Sequence, residues 1–357
     1  MLGSIACSKS ADLSSLPLLD ETPLPPIVAA GTHRLLGIDV SSPEDGDFDT
    51  ALGLAKAAGA QVVSLSLAWD VLETEPGVYE PEPNYLAIAN QYYSAAGMRV
   101  SLVITPIDTN VSRLPADLQD KPFDDPLLIK RFNRLLDWVF SQIPDLRLTS
   151  LSIGNEVNVF LGSAPGAWAA YGRFYEATSE HGRGLRPGLR VGAKLTSNGI
   201  LGYAQSEAYA LNNFSDVILV TYYPLNPDFT VREPAVVADD LAALVTAYPG
   251  RPIHLAQAGY PSSPILNSSE ARQAQFVQEM FEAWDAHASQ IELISFTWLS
   301  DASPAAVADF AEYYGLSTQR FTEFLASLGL RTFPGSGRDK QAFRMLMEQA
   351  RARGWIP

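Results

Sequence analysis

"RLLGIDVSSPEDGD", residues 34 to 47, is a short apolar run that spills into an acidic turn containing serine and proline. A strand that opens a doubly wound α/β sheet usually leads into a glycine-rich turn, which holds a phosphate at the start of the next helix. Nothing of that kind follows here, neither GxGxxG nor a P-loop. Seven similar runs recur downstream: "QVVSLSLAW" (61 to 69), "RVSLVIT" (99 to 105), "LTSLSIG" (148 to 154), "LRVGAKL" (189 to 195), "DVILVTYY" (216 to 223), "RPIHLAQA" (251 to 258) and "IELISFTWL" (291 to 299). Most are too uniformly apolar to leave one face in water, as befits strands of a parallel sheet covered on both sides. Longer amphipathic stretches lie between them, near 48 to 58, 84 to 96, 126 to 140, 166 to 181, 203 to 212, 235 to 248 and 268 to 288. In the last, Ser268 or Ser269 can cap, Glu270 suits the positive helix start, and Phe276, Met280 and Trp284 recur on one face. Eight strands alternating with helices predict a single (β/α)₈ TIM barrel over residues 34 to 357. "AEYYGLSTQRFTEFLASLGL" is then the region of the last barrel helix, and "DKQAFRMLMEQARARG" a C-terminal helix against the barrel wall.

Composition narrows the function. The 357 residues carry a formal net charge of -15, which argues against a polyanionic partner such as nucleic acid and suits a neutral one. One cysteine and four scattered histidines exclude a disulfide framework and a zinc cluster, and no metal or organic cofactor is implied. No run approaches the roughly 18 apolar residues of a membrane span. Residues 1 to 33 read as an N-terminal tail. "MLGSIACSKSADLSSLPLLDETPLPP" resembles the end of a bacterial lipoprotein signal with Cys7 as lipid acceptor, although Ser4 matches poorly and a basic start is absent. The expectation is an extracytoplasmic location, secreted or lipid-anchored; an unstructured tail with an incidental cysteine is the alternative.

In such barrels chemistry sits at the C-terminal strand ends. These ends are polar and aromatic here: Asp39; Trp69, Asp70 and Glu73; Asp108; Asn155, Glu156 and Asn158; Lys194 and Asn198; Tyr222 and Tyr223; Gln257 and Tyr260; Trp298 and Asp301. Aromatic faces that stack on sugar rings, beside amides and carboxylates for hydroxyls, point to a carbohydrate ligand. The sharpest motif is "LSIGNEVN", 151 to 158. It sets a carboxyl at a strand end with an amide before it, so that Glu156 can protonate a glycosidic oxygen while Asn155 binds a neighbouring hydroxyl.

On these residues the chain resembles the clan A glycoside hydrolases, retaining (β/α)₈ enzymes with Asn-Glu after the fourth strand and a nucleophilic Glu after the seventh. "IGNEVN" resembles the fourth-strand pattern, the passage from Ser66 to Ile104 the second-to-third strand region, and "VTYYPLN" and "FTWLSD" the sixth and eighth strand ends. Within that clan the motifs resemble those of endo-galactanases and β-glucanases. The resemblance implies a β-linked oligo- or polysaccharide, Glu156 as acid/base and Asn155 on the sugar. It also implies that Tyr222 or Tyr223 bonds the residue at 257, that Trp69 and Trp298 form stacking platforms, and that Asp39, Lys194 and Tyr260 belong to the substrate site.

The departure is Gln257, in "QAGYP", where the pattern calls for Glu. A neutral amide neither attacks an anomeric carbon well nor stabilises a cationic transition state. Such a residue is what a shape-preserving substitution made to trap a ligand would leave, and equally what a noncatalytic carbohydrate-binding barrel would carry. In a third account Asp301, Asp39 or Asp108 serves as base in an inverting reaction, with carboxyls about 6.5 to 9.5 Å apart rather than about 5 to 5.5 Å. Substrate assistance by a 2-acetamido group is disfavoured, because Gly154 stands two residues before Glu156 where an Asp is usual.

Overall fold

The computed structural model describes residues 26 to 31, 33 to 40, 46 to 333 and 337 to 357; Cys7 and most of the tail lie outside them. Among the described residues eight parallel strands form a ring: Leu35–Ile38, Val62–Ala68, Arg99–Asp108, Arg147–Asn155, a fifth in two pieces (Val191–Gly192 and Lys194–Thr196), Ile218–Tyr222, Ile253–Ala258 and Ile291–Phe296. The first strand pairs with both the second and the eighth. The ring closes through the broken fifth strand, whose first piece pairs with the fourth and whose second pairs with the sixth. This is the predicted TIM barrel, and every predicted strand overlaps an observed one.

The outer helices also follow the pattern. Pro126–Gln142 starts with Asp125 accepting from the Leu127 amide and Pro126 in the first turn, where a missing N–H costs nothing. Glu270–Ala286 is capped by Ser269, and its Phe276, Met280 and Trp284 are all buried. The C-terminal helix Gln341–Ala352 packs along Glu270–Ala286, as expected of a helix on the barrel wall.

One expectation fails. The segment after the eighth strand does not run down the outside as a barrel helix; it forms two short helices, Pro304–Tyr314 and Gln319–Ser327, that pack on each other over the barrel mouth. Ser303 and Thr318 cap them. Their apolar side chains find partners at the strand ends, as with Phe324 edge-on to Tyr223 and Phe310 stacked on Trp298. Lys340 pins the return of this excursion, donating to the Gly329 carbonyl at 2.8 Å, the Ser327 carbonyl at 3.1 Å and the Asp301 carboxylate at 2.6 Å.

At the opposite end, Asp285 is wholly buried between two arginines. Its Oδ1 accepts from Arg34 at 2.7 Å, and its Oδ2 from Arg353 at 2.6 Å. Arg34 lies over the Trp284 and Trp355 rings, and Arg353 over Phe281. The residue preceding the first strand, the helix after the seventh and the chain's last helical turn thus meet at one carboxylate. Asp285→Ala would leave two buried guanidinium groups without a counter-charge, and is expected to cost about 3 to 5 kcal/mol in urea unfolding.

Candidate functional site

The fourth strand ends in Gly154, Asn155 and Glu156, and the backbone there is unusual. Gly154 has φ +86°, and a Cβ on it would collide with Val157 Cγ1 and lie 2.8 Å from the Tyr171 hydroxyl. Glu156 itself is left-handed, at φ 47° and ψ 39°. A non-glycine residue held in that region is strained by roughly 1 to 3 kcal/mol, which marks a position fixed for its side chain rather than for its backbone.

That side chain opens onto a cavity of about 420 Å³ in the barrel mouth. Its Oε1 accepts from the Thr221 hydroxyl at 2.6 Å and its Oε2 from the Thr109 hydroxyl at 3.0 Å. Burial pushes the Glu156 carboxyl above its ordinary range, while these hydroxyls and the Lys194 ammonium pull the other way. Lys194 is 1% exposed and does not line the cavity. Burial lowers its pKa, and the carboxylates of Glu156, Asp39 and Asp108 oppose that.

Asn155 is oriented by charge. Its NH₂ donates to Asp108 Oδ1 at 2.8 Å, and the other Asp108 oxygen accepts from the Tyr313 hydroxyl at 2.8 Å. A carboxylate cannot donate to a carbonyl, so the Asn155 amide cannot turn over. Its Oδ1 is buried without a partner, and the residue lines the cavity: an acceptor set for a donor from a ligand.

Gln257 lines the same cavity, opposite Thr221 in the register of the sixth and seventh strands. The Tyr223 hydroxyl approaches its Oε1 at 3.5 Å, a long contact. Trp298 completes the wall with its ring face 5.6 Å from that of Phe310. The cavity therefore brings together Asn155, Glu156, Tyr223, Gln257 and Trp298, as the strand-end reading expects.

The remaining expectations need correction. Trp69 is fully buried, edge-on to Phe132, with its indole N–H donated to Glu73 at 2.5 Å; it is core and cannot be a sugar platform. Glu73 is held by Arg131 at 2.6 Å. Tyr222 points away from Gln257, stacking on Phe276 and donating to Asp240 at 2.9 Å. Tyr260 stacks on the same Phe276 and donates to the Arg232 carbonyl at 2.7 Å. Asp39 and Lys194 are buried and do not line the cavity. Asn158 is buried too, tying the fourth strand to the fifth through Thr196 at 2.8 Å.

The alternative bases also lie off the cavity wall. Asp301 is bound to Lys340 and pushed up to about 6 by burial, and Asp108 is engaged by Asn155 and Tyr313. Among the described residues that line the cavity, Glu156 is the one carboxylate. Sequence reasoning missed Thr109 and Thr221, which hold that carboxylate, and the apolar roof. The i, i+4 pair Phe310 and Tyr314 and the Phe321, Phe324, Leu325 and Leu328 face were the available signals for the roof.

The barrel and its mouth have counterparts among solved structures. The chain superposes on the exo-β-1,4-mannosidase Op5Man5 from Opitutaceae bacterium strain TAV5 with a TM-score of 0.70 and 17% identity, over 92% of this chain and 61% of that one. GH5_18 from Streptomyces cattleya in complex with Manβ1-4GlcNAc matches with a TM-score of 0.69 and 19% identity, over 91% and 82% of the two chains. GH5_18 from Bifidobacterium longum subsp. longum ATCC 55813 matches with 0.68 and 14%, over 90% and 79%. The chain thus spans under two thirds of the mannosidase's length. No family model and no curated protein sequence matches it. At these identities the likeness is one of fold: this is the (β/α)₈ barrel that these glycoside-acting proteins share.

The raised pKa of Glu156 has a thermodynamic consequence. A carboxyl that protonates more readily folded than unfolded contributes stability below its unfolded pKa of about 4.3, and that contribution is lost as pH rises through the higher folded value. Glu156→Gln keeps the neutral form at every pH. It is expected to be more stable than the parent at pH 8, by about 1 kcal/mol, with the gap closing on acidification toward pH 4. Thermal melts of both proteins across that range check it.

Proposed function

We propose that the protein binds a β-linked glycoside in the barrel mouth, on a glycosidase scaffold that hydrolyses it extremely slowly while residue 257 is Gln. The observation that carries this reading is the single carboxylate of the cavity. Retaining hydrolysis through an enzyme carboxylate and inverting hydrolysis each use two, one to protonate the departing oxygen and one to attack or to activate water. Glu156 suits the first of these roles, because two hydroxyls fix its position and burial pushes its carboxyl toward the protonated form. The free Asn155 carbonyl suits a sugar hydroxyl beside the scissile bond. Gln257 stands where the second carboxylate is needed.

With a carboxylate at 257, the chemistry closes. Its oxygen attacks the anomeric carbon as the glycosidic bond breaks, and the Glu156 proton goes to the departing oxygen. Glu156, now a carboxylate, then takes a proton from water as that water displaces the ester and frees the carboxylate at 257. A new negative charge facing Glu156 also raises its pKa further and keeps it protonated for the first step. The sugar is open among β-linked candidates: sequence motifs point toward galactan and β-glucan, whereas the structural neighbours are named for β-mannoside activity or ligands.

Gln257→Glu is expected to raise turnover by about a thousandfold or more on whichever substrate the parent binds. The assay is release of 4-nitrophenol and of reducing ends from β-mannosides, β-glucosides, β-galactosides and xylan oligomers. A Glu variant that binds these sugars yet stays inert on all of them makes the protein a noncatalytic carbohydrate-binding barrel whose catalysis was lost elsewhere as well. A parent that is already fast places the base at some other residue and removes Gln257 from the nucleophile position.

A further inference from the structure

Most of the cavity's lining is apolar, although Thr196, Ser197 and Asn198 add polar groups at the end of the fifth strand. Asn155, Glu156, Thr221 and Gln257 form its floor, while Phe310, Tyr314, Phe321, Phe324, Leu325 and Leu328 of the roof face it from above. Leu225, Pro227 and Phe229 continue the apolar surface from the loop after the sixth strand. Phe229 packs on both Phe321 and Phe324, so loop and roof form one wall. Two amides at this side have their NH₂ groups engaged, Asn110 on the Tyr314 carbonyl at 2.9 Å and Asn226 on Thr230 at 3.0 Å, which leaves their oxygens as acceptors only. The rim is mixed: Leu316 and Val159 are about two fifths exposed, at 40% and 39%, and Asn110, Asn198 and Asn226 are exposed beside them.

A second sugar unit seated under the roof would exchange water for leucine and phenylalanine at many of its hydroxyls, with few partners to offset the loss. A hydroxyl-poor group loses nothing there and removes apolar surface of both sides from water. The cavity's volume also suits a compact ligand rather than a run of polysaccharide. Resting on the reading of a β-glycoside site above, we infer that the ligand is an amphiphilic glycoside, one sugar unit joined to an apolar, hydroxyl-poor aglycone, with the sugar on the Asn155–Glu156–Gln257 floor and the aglycone under the roof. This differs from the saccharide chain that the strand-end motifs alone suggest.

The test is calorimetric titration of the unaltered protein with methyl, octyl and 4-methylumbelliferyl β-glycosides of mannose, glucose and galactose, alongside the corresponding β-1,4-linked disaccharides. The octyl or the aryl glycoside is expected to bind at least about tenfold more tightly than the methyl glycoside of the same sugar, and more tightly than the disaccharide. A gain with the aryl series alone points to a flat ring aglycone, and with the octyl series alone to a lipid-like chain; either supports the inference. Leu325→Asn, checked for native melting, is expected to shrink the ratio of octyl or aryl to methyl affinity. Disaccharides that bind as tightly as the apolar glycosides overturn the inference and leave the glycoside site standing. Absence of binding by every glycoside, methyl glycosides included, overturns the glycoside site itself and the inference with it.

Discussion

The barrel is held shut at its base by one buried carboxylate. A ring of parallel strands has no natural seam, because its first and last strands must find each other across the whole length of the chain. Here Asp285 gathers Arg34 and Arg353 at that point, from residues 251 and 68 positions away in sequence. Desolvating three charged groups is costly, and the cost is met by bidentate geometry and by tryptophan and phenylalanine faces over the guanidinium planes. Such a junction tolerates few alternatives, which favours one register for the strands above it. The strand ends can then hold a left-handed Glu156 that a looser scaffold would let relax.

Charge at the strand ends gathers around one buried lysine. Lys194 rises from the fifth strand into the field of Asp39, Asp108 and Glu156, three acids against one base. An ionised residue at 257 adds a fourth negative group nearby, whereas an amide leaves the balance as it is.

Much of this was legible from sequence because two periodicities are written plainly in it. Uniform apolar runs gave the strands, and runs such as Phe276, Met280 and Trp284 gave the helices. "GNE" located the carboxylate that lines the cavity because Gly154 is required there by a backbone angle few other residues adopt. The errors have equally physical sources. At a strand end the side chains alternate, so Thr221 and Tyr223 face inward while Tyr222 lies outside against the helices; adjacent tyrosines look identical in sequence and differ only in parity. Trp69 begins a helical turn instead of extending the strand, which swings it into the core beside Phe132. The roof was misread because an amphipathic helix on the barrel wall and one over its mouth show the same pattern. Only the tertiary position tells them apart.

The roof comes from one uninterrupted stretch between the eighth strand and the final helix, fastened at its return by Lys340, whereas the floor is assembled from residues scattered over several strands. The two halves of the cavity are thus inherited differently. Exchanging a single contiguous segment would replace the ceiling wholesale and reach the floor chiefly through the Tyr313 hydroxyl on Asp108, while no comparably small edit could rebuild the floor. Barrels of this plan can diversify in what they accept by swapping one cassette, and a chimera that grafts another roof onto this floor is the corresponding route for design.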